Sequence, residues 1–263
     1  MSLTNLPPPL LALSAGCFTW LVTALGAATV FFFRGGRPRT LGLMLGFSAG
    51  VMLAASFWSL LEPAIALAES QGGPPPWFTA AGGFLAGAAF LRLTDLGLTA
   101  LRPGKNSGAL KRIRMLILSI TLHNIPEGLA VGVAFGALGE GFTPERLAAA
   151  MGVALGIGLQ NYPEGAAVAL PLRQEGFRRG KSFLWAQASG LVEPISALLG
   201  ALLVQRMRML LPWALAFAAG AMVLVAVYEL IPACMGEEDK QKHAAPAILL
   251  GFALMMVLDV ALG

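Results

Sequence analysis

Long apolar runs, interrupted at intervals by short clusters of glycine, proline and charge, dominate the pattern along this 263-residue chain. A helix rises 1.5 Å per residue, so about 20 apolar residues cross a hydrocarbon core of roughly 30 Å. Eight runs meet that length, near residues 10–33, 41–68, 77–101, 115–138, 147–172, 183–204, 210–235 and 244–263. The breaks between them, such as 34–39, 71–76 and 103–114, are short and polar or rich in Gly and Pro. This pattern predicts an all-α membrane protein of eight transmembrane helices, organised as a single transmembrane domain over residues 1–263. No stretch is left for a soluble domain.

Composition agrees: 57% of residues are hydrophobic and 12% charged, where a soluble domain has roughly a quarter charged. The 32 glycines are scattered through the apolar runs, where close helix packing is their natural use. A net charge of +4 raises the question of nucleic acid, but 18 Lys and Arg in so apolar a chain are too few for a binding face, and nucleic acid is excluded as a partner. Their placement is a topology signal. Fourteen lie on the first, third, fifth and seventh loops, beginning with Arg34, Arg37 and Arg39, and three, Arg146, Arg206 and Arg208, lie on the other side. Basic loops stay in the cytoplasm, so both termini are expected outside a plasma or inner cell membrane. Cys17 and Cys234 sit in apolar runs without CxxC spacing, which argues against a disulfide or thiolate metal site. No Lys or Arg precedes Arg34, so the first run lacks the basic start of a cleaved signal and is expected to remain.

Seven acidic residues fall inside the predicted spans: Glu62, Asp95, Glu127, Glu164, Glu193, Glu229 and Asp259. Each ionised carboxylate at a helix centre costs roughly 2.5–3.5 kcal/mol in lipid even on the lenient insertion scale. Arg92, inside the third span, offsets one of them and stands three residues from Asp95, a spacing that pairs the two on one helix face. Glu62 lies near a span end, within reach of the interface. Glu127, Glu164 and Glu193 lie near the middle of spans four, five and six. A cation that the protein binds and moves is the economical partner for them.

Segment 122–131, LHNIPEGLAV, recurs as 159–168, LQNYPEGAAV, with seven of ten positions identical, in consecutive spans that cross in opposite directions. Within each copy the polar residues stand at i, i+1 and i+4, so His123, Asn124 and Glu127 share one helix face, and Gln160, Asn161 and Glu164 another. Pro126 and Pro163 lack an N–H and release the carbonyls of Leu122 and Leu159 at the polar cluster. Gly128, Gly132 and Gly136 form a smooth stripe for a neighbouring helix. Carboxylates, amide oxygens and one imidazole suit a divalent first-row metal or cadmium, with no soft thiolate to favour copper(I). A polar kink used only for packing would not require a duplicated Asn-x-Pro-Glu-Gly and a third Glu at midplane depth.

On the motifs His123-Asn124-Ile125-Pro126-Glu127-Gly128, Gln160-Asn161-Tyr162-Pro163-Glu164-Gly165 and Val192-Glu193-Pro194, the chain resembles the ZIP (Zrt-/Irt-like) family of divalent metal transporters, in its GufA-like branch. The resemblance implies a transporter, not an enzyme, that moves metal into the cytoplasm. Zinc leads the implied range, followed by cadmium, iron and manganese, all as transported substrate and none as cofactor. It also implies a binuclear centre: one site from His123, Glu127, Gln160 and Glu164, the other from Asn124, Asn161 and Glu193, bridged by Glu127 and Glu164. On the same pattern Met52, Ser59, Asp95, Glu229 and Asp259 line the route. Many members carry His at the positions of Gln160 and Tyr228. The third loop lacks the His run common in the family, and His243 is expected as a solvated loop residue.

A fainter repeat matches 47–52, FSAGVM, to 217–222, FAAGAM, in spans that run oppositely. Such an inverted repeat is the mark of secondary transporters and would relate helices 1–3 to helices 6–8 around helices 4 and 5. Three rival readings differ in chemistry. A di-metal enzyme typically takes a Glu-x-x-His pair from each of two helices, and here one membrane His precedes its Glu by four. An ATP-driven pump would need the phosphate loop that 176–182, GFRRGKS, misses by one residue. A divalent-metal channel could use the same ligands as a filter. Gly42, Gly46 and Gly50 can pack either within one protomer or between two, which leaves a homodimer open.

Overall fold

A computed structural model describes residues 6–32, 38–100, 109–206, 208–235 and 238–262. The described residues are helical apart from short turns, with no strand among them. The helices are α1 (Pro8–Phe32), α2 (Pro38–Ala55), α3 (Glu62–Gln71), α4 (Pro76–Ala100), α5 (Ala109–Gly136), α6 (Pro144–Gln174), α7 (Arg179–Ser189), α8 (Val192–Arg206), α9 (Leu211–Val225), α10 (Ile231–Met235) and α11 (Glu238–Leu262). Five stretches of helix are long and apolar enough to cross a membrane: Pro8–Phe32, Gly42–Gln71, Arg179–Val204, Leu211–Met235 and His243–Ala261. Helices α4, α5 and α6 are 25, 28 and 31 residues long. They carry Arg92 and Asp95 (α4) and the two polar motifs (α5 and α6), which lower their apolar character.

The protein is inverted relative to a soluble one. Its interior is built largely of Ala, Gly and small polar residues, while Leu21, Leu25, Phe32, Leu85 and Leu249 face outward. Lipid is as apolar as leucine, so burying large side chains gives little and close backbone packing gives more.

Proline explains where helices deform. α2 passes into α3 through a π-helical turn at Ser56–Leu61, closed by the Glu62 N–H donating to Phe57 O, just before Pro63. α9 passes into α10 through another at Ala226–Leu230, closed by the Ile231 N–H donating to Ala226 O, just before Pro232. A proline cannot donate to the carbonyl four residues back, and the wider turn absorbs the lost bond. The predicted sixth span is divided at Gly190 and Leu191 into α7 and α8. There Pro194 cannot bond Gly190, and the Glu193 N–H donates to Gly190 O instead at 2.9 Å.

Four helix pairs pack most extensively: α2 with α11, α4 with α9, α1 with α6, and α5 with α8. In the first, a Cβ on Gly50 would strike Ile248 O and one on Gly251 would strike Phe47 O. In the second, a Cβ on Gly220 would strike Phe84 O and one on Gly87 would strike Phe217 O. Gly46 and Gly50 thus pack against α11 inside the protomer, which decides the use of that stripe. One expectation is corrected: His243 is not a loop residue, because α11 begins at Glu238 and carries it into the helix, half-buried. Glu238 and Asp239 stand in the first turn, where negative charge favours a helix start.

Candidate metal centre

Close helix contacts bring the two motifs together. On α5, added Cβ atoms at Gly128, Gly132 and Gly136 would run into the backbone of Glu193, Ala197 and Ala201 on α8. On α6, a Cβ at Gly165 would strike Thr23 O of α1. These approaches place Asn124 and Glu127 (α5), Gln160, Asn161 and Glu164 (α6) and Glu193 (α8) around one interior region. Both α5 and α6 run through their prolines as continuous helix. Asn124, Glu127, Gln160, Asn161 and Glu193 are each no more than 2% exposed, and Glu164 is half-buried. The side chain of His123 lies outside the described residues; its backbone belongs to α5.

The hydrogen bonds show which atoms are engaged and which are left over. Gln160 Nε2 donates to Glu127 Oε1 at 2.6 Å, linking the two copies of the motif. Asn161 Nδ2 donates to Glu193 Oε2 at 2.7 Å and to Thr19 O at 3.3 Å. Asn124 Nδ2 donates to Ser189 O at 3.1 Å. With every amide nitrogen turned to an acceptor, Asn124 Oδ1, Gln160 Oε1, Asn161 Oδ1 and Glu127 Oε2 are buried without a hydrogen-bond partner among the described residues. Buried oxygens rarely go unpaired, because each unmet acceptor costs roughly 1–3 kcal/mol. All four are acceptors and none is a donor, so the missing partner is a cation or a proton donor.

The carboxylates sharpen that requirement. Glu127 interacts electrostatically with both Glu164 and Glu193, and Glu193 with Glu164, so the three charges share one field. Glu193 stands in the first turn of α8, where the helix dipole favours a negative charge. Among the described residues no three His, Cys, Asp or Glu side chains stand close enough to hold one metal ion. The donor set is mixed, with amide oxygens supplying three of the four unpaired atoms.

Four contributors were not evident in the motifs. Thr23 Oγ1 donates to Glu193 Oε1 at 3.2 Å, Thr19 supplies its carbonyl to Asn161, and Ser189 supplies its own to Asn124. Ser48 Oγ, from α2, donates to Glu164 Oε1 at 3.0 Å and to Gln160 O at 3.3 Å. The signals available for the threonines were their four-residue spacing on α1 and the flanking Gly16 and Gly26.

The other expected residues form separate groups. Ser59 Oγ donates to Asp259 Oδ1, and both line a cavity of about 700 Å³ with Glu62, Arg146, Val133 and Val153. Met52 is fully buried, and Asp259 Oδ2 lacks a hydrogen-bond partner among the described residues. Asp95 pairs with Arg92 at 2.9 Å, as the spacing required, and the Arg92 guanidinium lies 4.6 Å from the centre of the Tyr228 ring. Glu229 follows in the π-helical turn, half-buried.

A helical, multi-pass membrane protein with acceptor oxygens gathered in its interior is the class these features define. Comparison with known proteins is specific about the family. The family model described as ZIP Zinc transporter matches residues 106–259. Human Zinc transporter ZIP11 is 39% identical over 96% of this chain and 97% of its own length. Zinc transporter GufA of Myxococcus xanthus is 38% identical over 95% of this chain and 98% of its own, and Zinc transporter ZIPB of Bordetella bronchiseptica 38% over 96% and 81%. The chain belongs to the ZIP family.

Proposed function

We propose that this protein transports divalent metal cations, zinc foremost, through an interior centre built on α5, α6 and α8. The observation that carries the reading is the set of four buried, unpaired acceptor oxygens beside three interacting carboxylates. Carboxylate and amide oxygens, with the His123 imidazole, are the donors that borderline divalent ions accept. The three relatives named above are each named a zinc transporter, which supports zinc; cadmium, iron and manganese follow on ligand chemistry.

The centre holds two ions in this reading. One takes His123, Glu127, Gln160 and Glu164; the other takes Asn124, Asn161 and Glu193, with Glu127 and Glu164 bridging. Three ionised carboxylates carry −3, so two divalent ions leave +1, as small a residue as the −1 that one ion would leave, and it is the number of donor groups that supports two ions. Gln160 and Asn161 now donate to Glu127 and Glu193, and a metal replaces those donors at the carboxylates.

Eight spans complete the architecture, counting α4, α5 and α6 with the five apolar stretches. Reciprocal glycine contacts in α2/α11 and α4/α9, and the matched π-helical turns before Pro63 and Pro232, support an inverted repeat of helices 1–3 and 6–8. The cavity around Ser59, Glu62 and Asp259 is lined also by Arg146, one of the three basic residues on the sparsely charged side, and serves as the outer mouth in this reading. Met52 lies on the way inward, and Asp95 and Glu229 lie toward the basic, cytoplasmic side. Uptake into proteoliposomes, with zinc, cadmium, manganese and iron compared side by side, tests the reading. Flux that saturates with zinc supports it, and no flux of any of the four overturns it.

A further inference from the structure

The site described so far is held by α1, α5, α6, α7 and α8, yet one of its hydrogen bonds arrives from elsewhere. Ser48 belongs to α2, a helix whose main partner is α11. Its side chain is fully buried, and its hydroxyl reaches Glu164 Oε1 at 3.0 Å and the Gln160 carbonyl at 3.3 Å. A helical hydroxyl ordinarily satisfies itself on the carbonyl one turn back, as Ser56 does on Met52 O at 2.7 Å. Ser48 instead donates across to α6.

The seam it crosses is loosely filled. Along it runs a groove of about 780 Å³, lined by Met44 and Phe47 of α2, Leu159 and Tyr162 of α6, and Pro246 and Leu250 of α11. Its lining is almost wholly apolar, the His243 ring and the Tyr162 hydroxyl aside. Elsewhere α2 is locked to α11 by Gly50 and Gly251 with no room for a Cβ, and α6 is locked to α1 by Gly165 in the same way. Among the described residues no glycine of α2 or α6 has its nearest neighbours on the other helix, so the α2–α6 seam lacks the close glycine packing of the other two, and Ser48 ties it to the Gln160 carbonyl.

We propose that Ser48 is a positioning residue that couples metal occupancy to this seam. It holds Glu164 toward α2 when the centre is empty, and a metal that takes Glu164 draws the carboxylate away and releases α2 from α6. This rests on the reading of Glu164 as a metal ligand. Metal and Ser48 compete for the same oxygen, so the hydroxyl weakens metal binding and confers on the empty and filled centres different helix contacts. No bond is made or broken covalently, and only the hydroxyl's acceptor changes.

Two readouts on the full-length, detergent-purified protein test this. Equilibrium binding of cadmium to Ser48→Ala should be tighter than native by about tenfold, equivalent to about 1.4 kcal/mol, with the same number of ions bound. Ser48→Cys, whose thiol donates weakly, should fall between. Hydrogen exchange of the α2 backbone around residues 43–48 should rise on adding cadmium to the native protein, and in Ser48→Ala it should be raised already and unresponsive to cadmium. Native affinity in Ser48→Ala, or an α2 response to cadmium that survives the substitution, overturns the coupling. Glu164→Ala separates the two claims. If it binds cadmium as the native protein does, the ligand assignment fails; if it weakens binding while Ser48→Ala changes nothing, the ligand assignment stands and the Ser48 inference alone fails.

Discussion

Asn161→Asp distinguishes a metal centre from a polar network that only packs. The Asn161 amide nitrogen donates to Glu193 Oε2 at 2.7 Å, deep in the interior. The substitution preserves shape and places an acceptor against an acceptor. It removes a hydrogen bond to a charged group, worth about 1.5–3 kcal/mol, and sets two carboxylates side by side, a repulsion of about 4 kcal/mol at 4 Å and an effective dielectric of 20. The empty variant must be less stable than native. A divalent ion between the carboxylates reverses the sign, because it converts the repulsion into two attractions. Thermal unfolding in detergent, with and without zinc, is the assay. Zinc at a hundred times its Kd stabilises the native protein by about 2.7 kcal/mol. The variant should start lower and gain more, by about the 4 kcal/mol of repulsion relieved. A variant that gains no more from zinc than native does would refute the reasoning, since a network without metal offers zinc nothing to repair.

Other outcomes follow from the same geometry. Glu127→Ala should abolish zinc uptake while the protein still reaches the membrane, and His123→Ala should reduce it less, because the imidazole supplies one ligand and no charge; uptake in cells with membrane fractions assayed in parallel checks both. A single cysteine at Ser2 should react with an impermeant reagent from outside intact cells and one at Ser107 should not; labelling at Ser107 would reverse the topology. Gly165→Leu drives a side chain into the α1 backbone and should cost at least the roughly 1–3 kcal/mol of an overpacked core, read as loss of the monodisperse peak in size exclusion, whereas Gly180→Leu, with open space around it, should run as native.

How far the sequence foretold this arrangement depends on whether the controlling contact lies along the chain or across it. The apolar runs marked the helices because length is a local property, and the duplicated Asn-x-Pro-Glu-Gly marked the buried polar cluster because its residues share a helix face. Gly128, Gly132 and Gly136 were legible as a packing stripe for the same reason. The contributions of Ser48, Thr23 and Ser189 were not, since a hydroxyl or carbonyl on an apolar helix becomes part of a site only when another helix arrives beside it. The π-helical turns and the division at Gly190 carried a local sign, a proline just after each, but a proline alone does not say whether a helix widens, breaks or runs on, as α5 and α6 run through Pro126 and Pro163. His243 was misplaced because Lys240 and Lys242 read as loop charge, although the acids before them favour a helix start.

The most direct test of the central claim is the number of metal ions held in the interior. Equilibrium binding of cadmium to purified protein should saturate at about two ions per protomer, on the donor count of two bridged sites, and Glu193→Ala should lose about one of them while Glu164→Ala weakens both. If Glu193→Ala matches the native protein in stoichiometry and affinity, the buried carboxylate on α8 does not bind metal and the binuclear centre is contradicted.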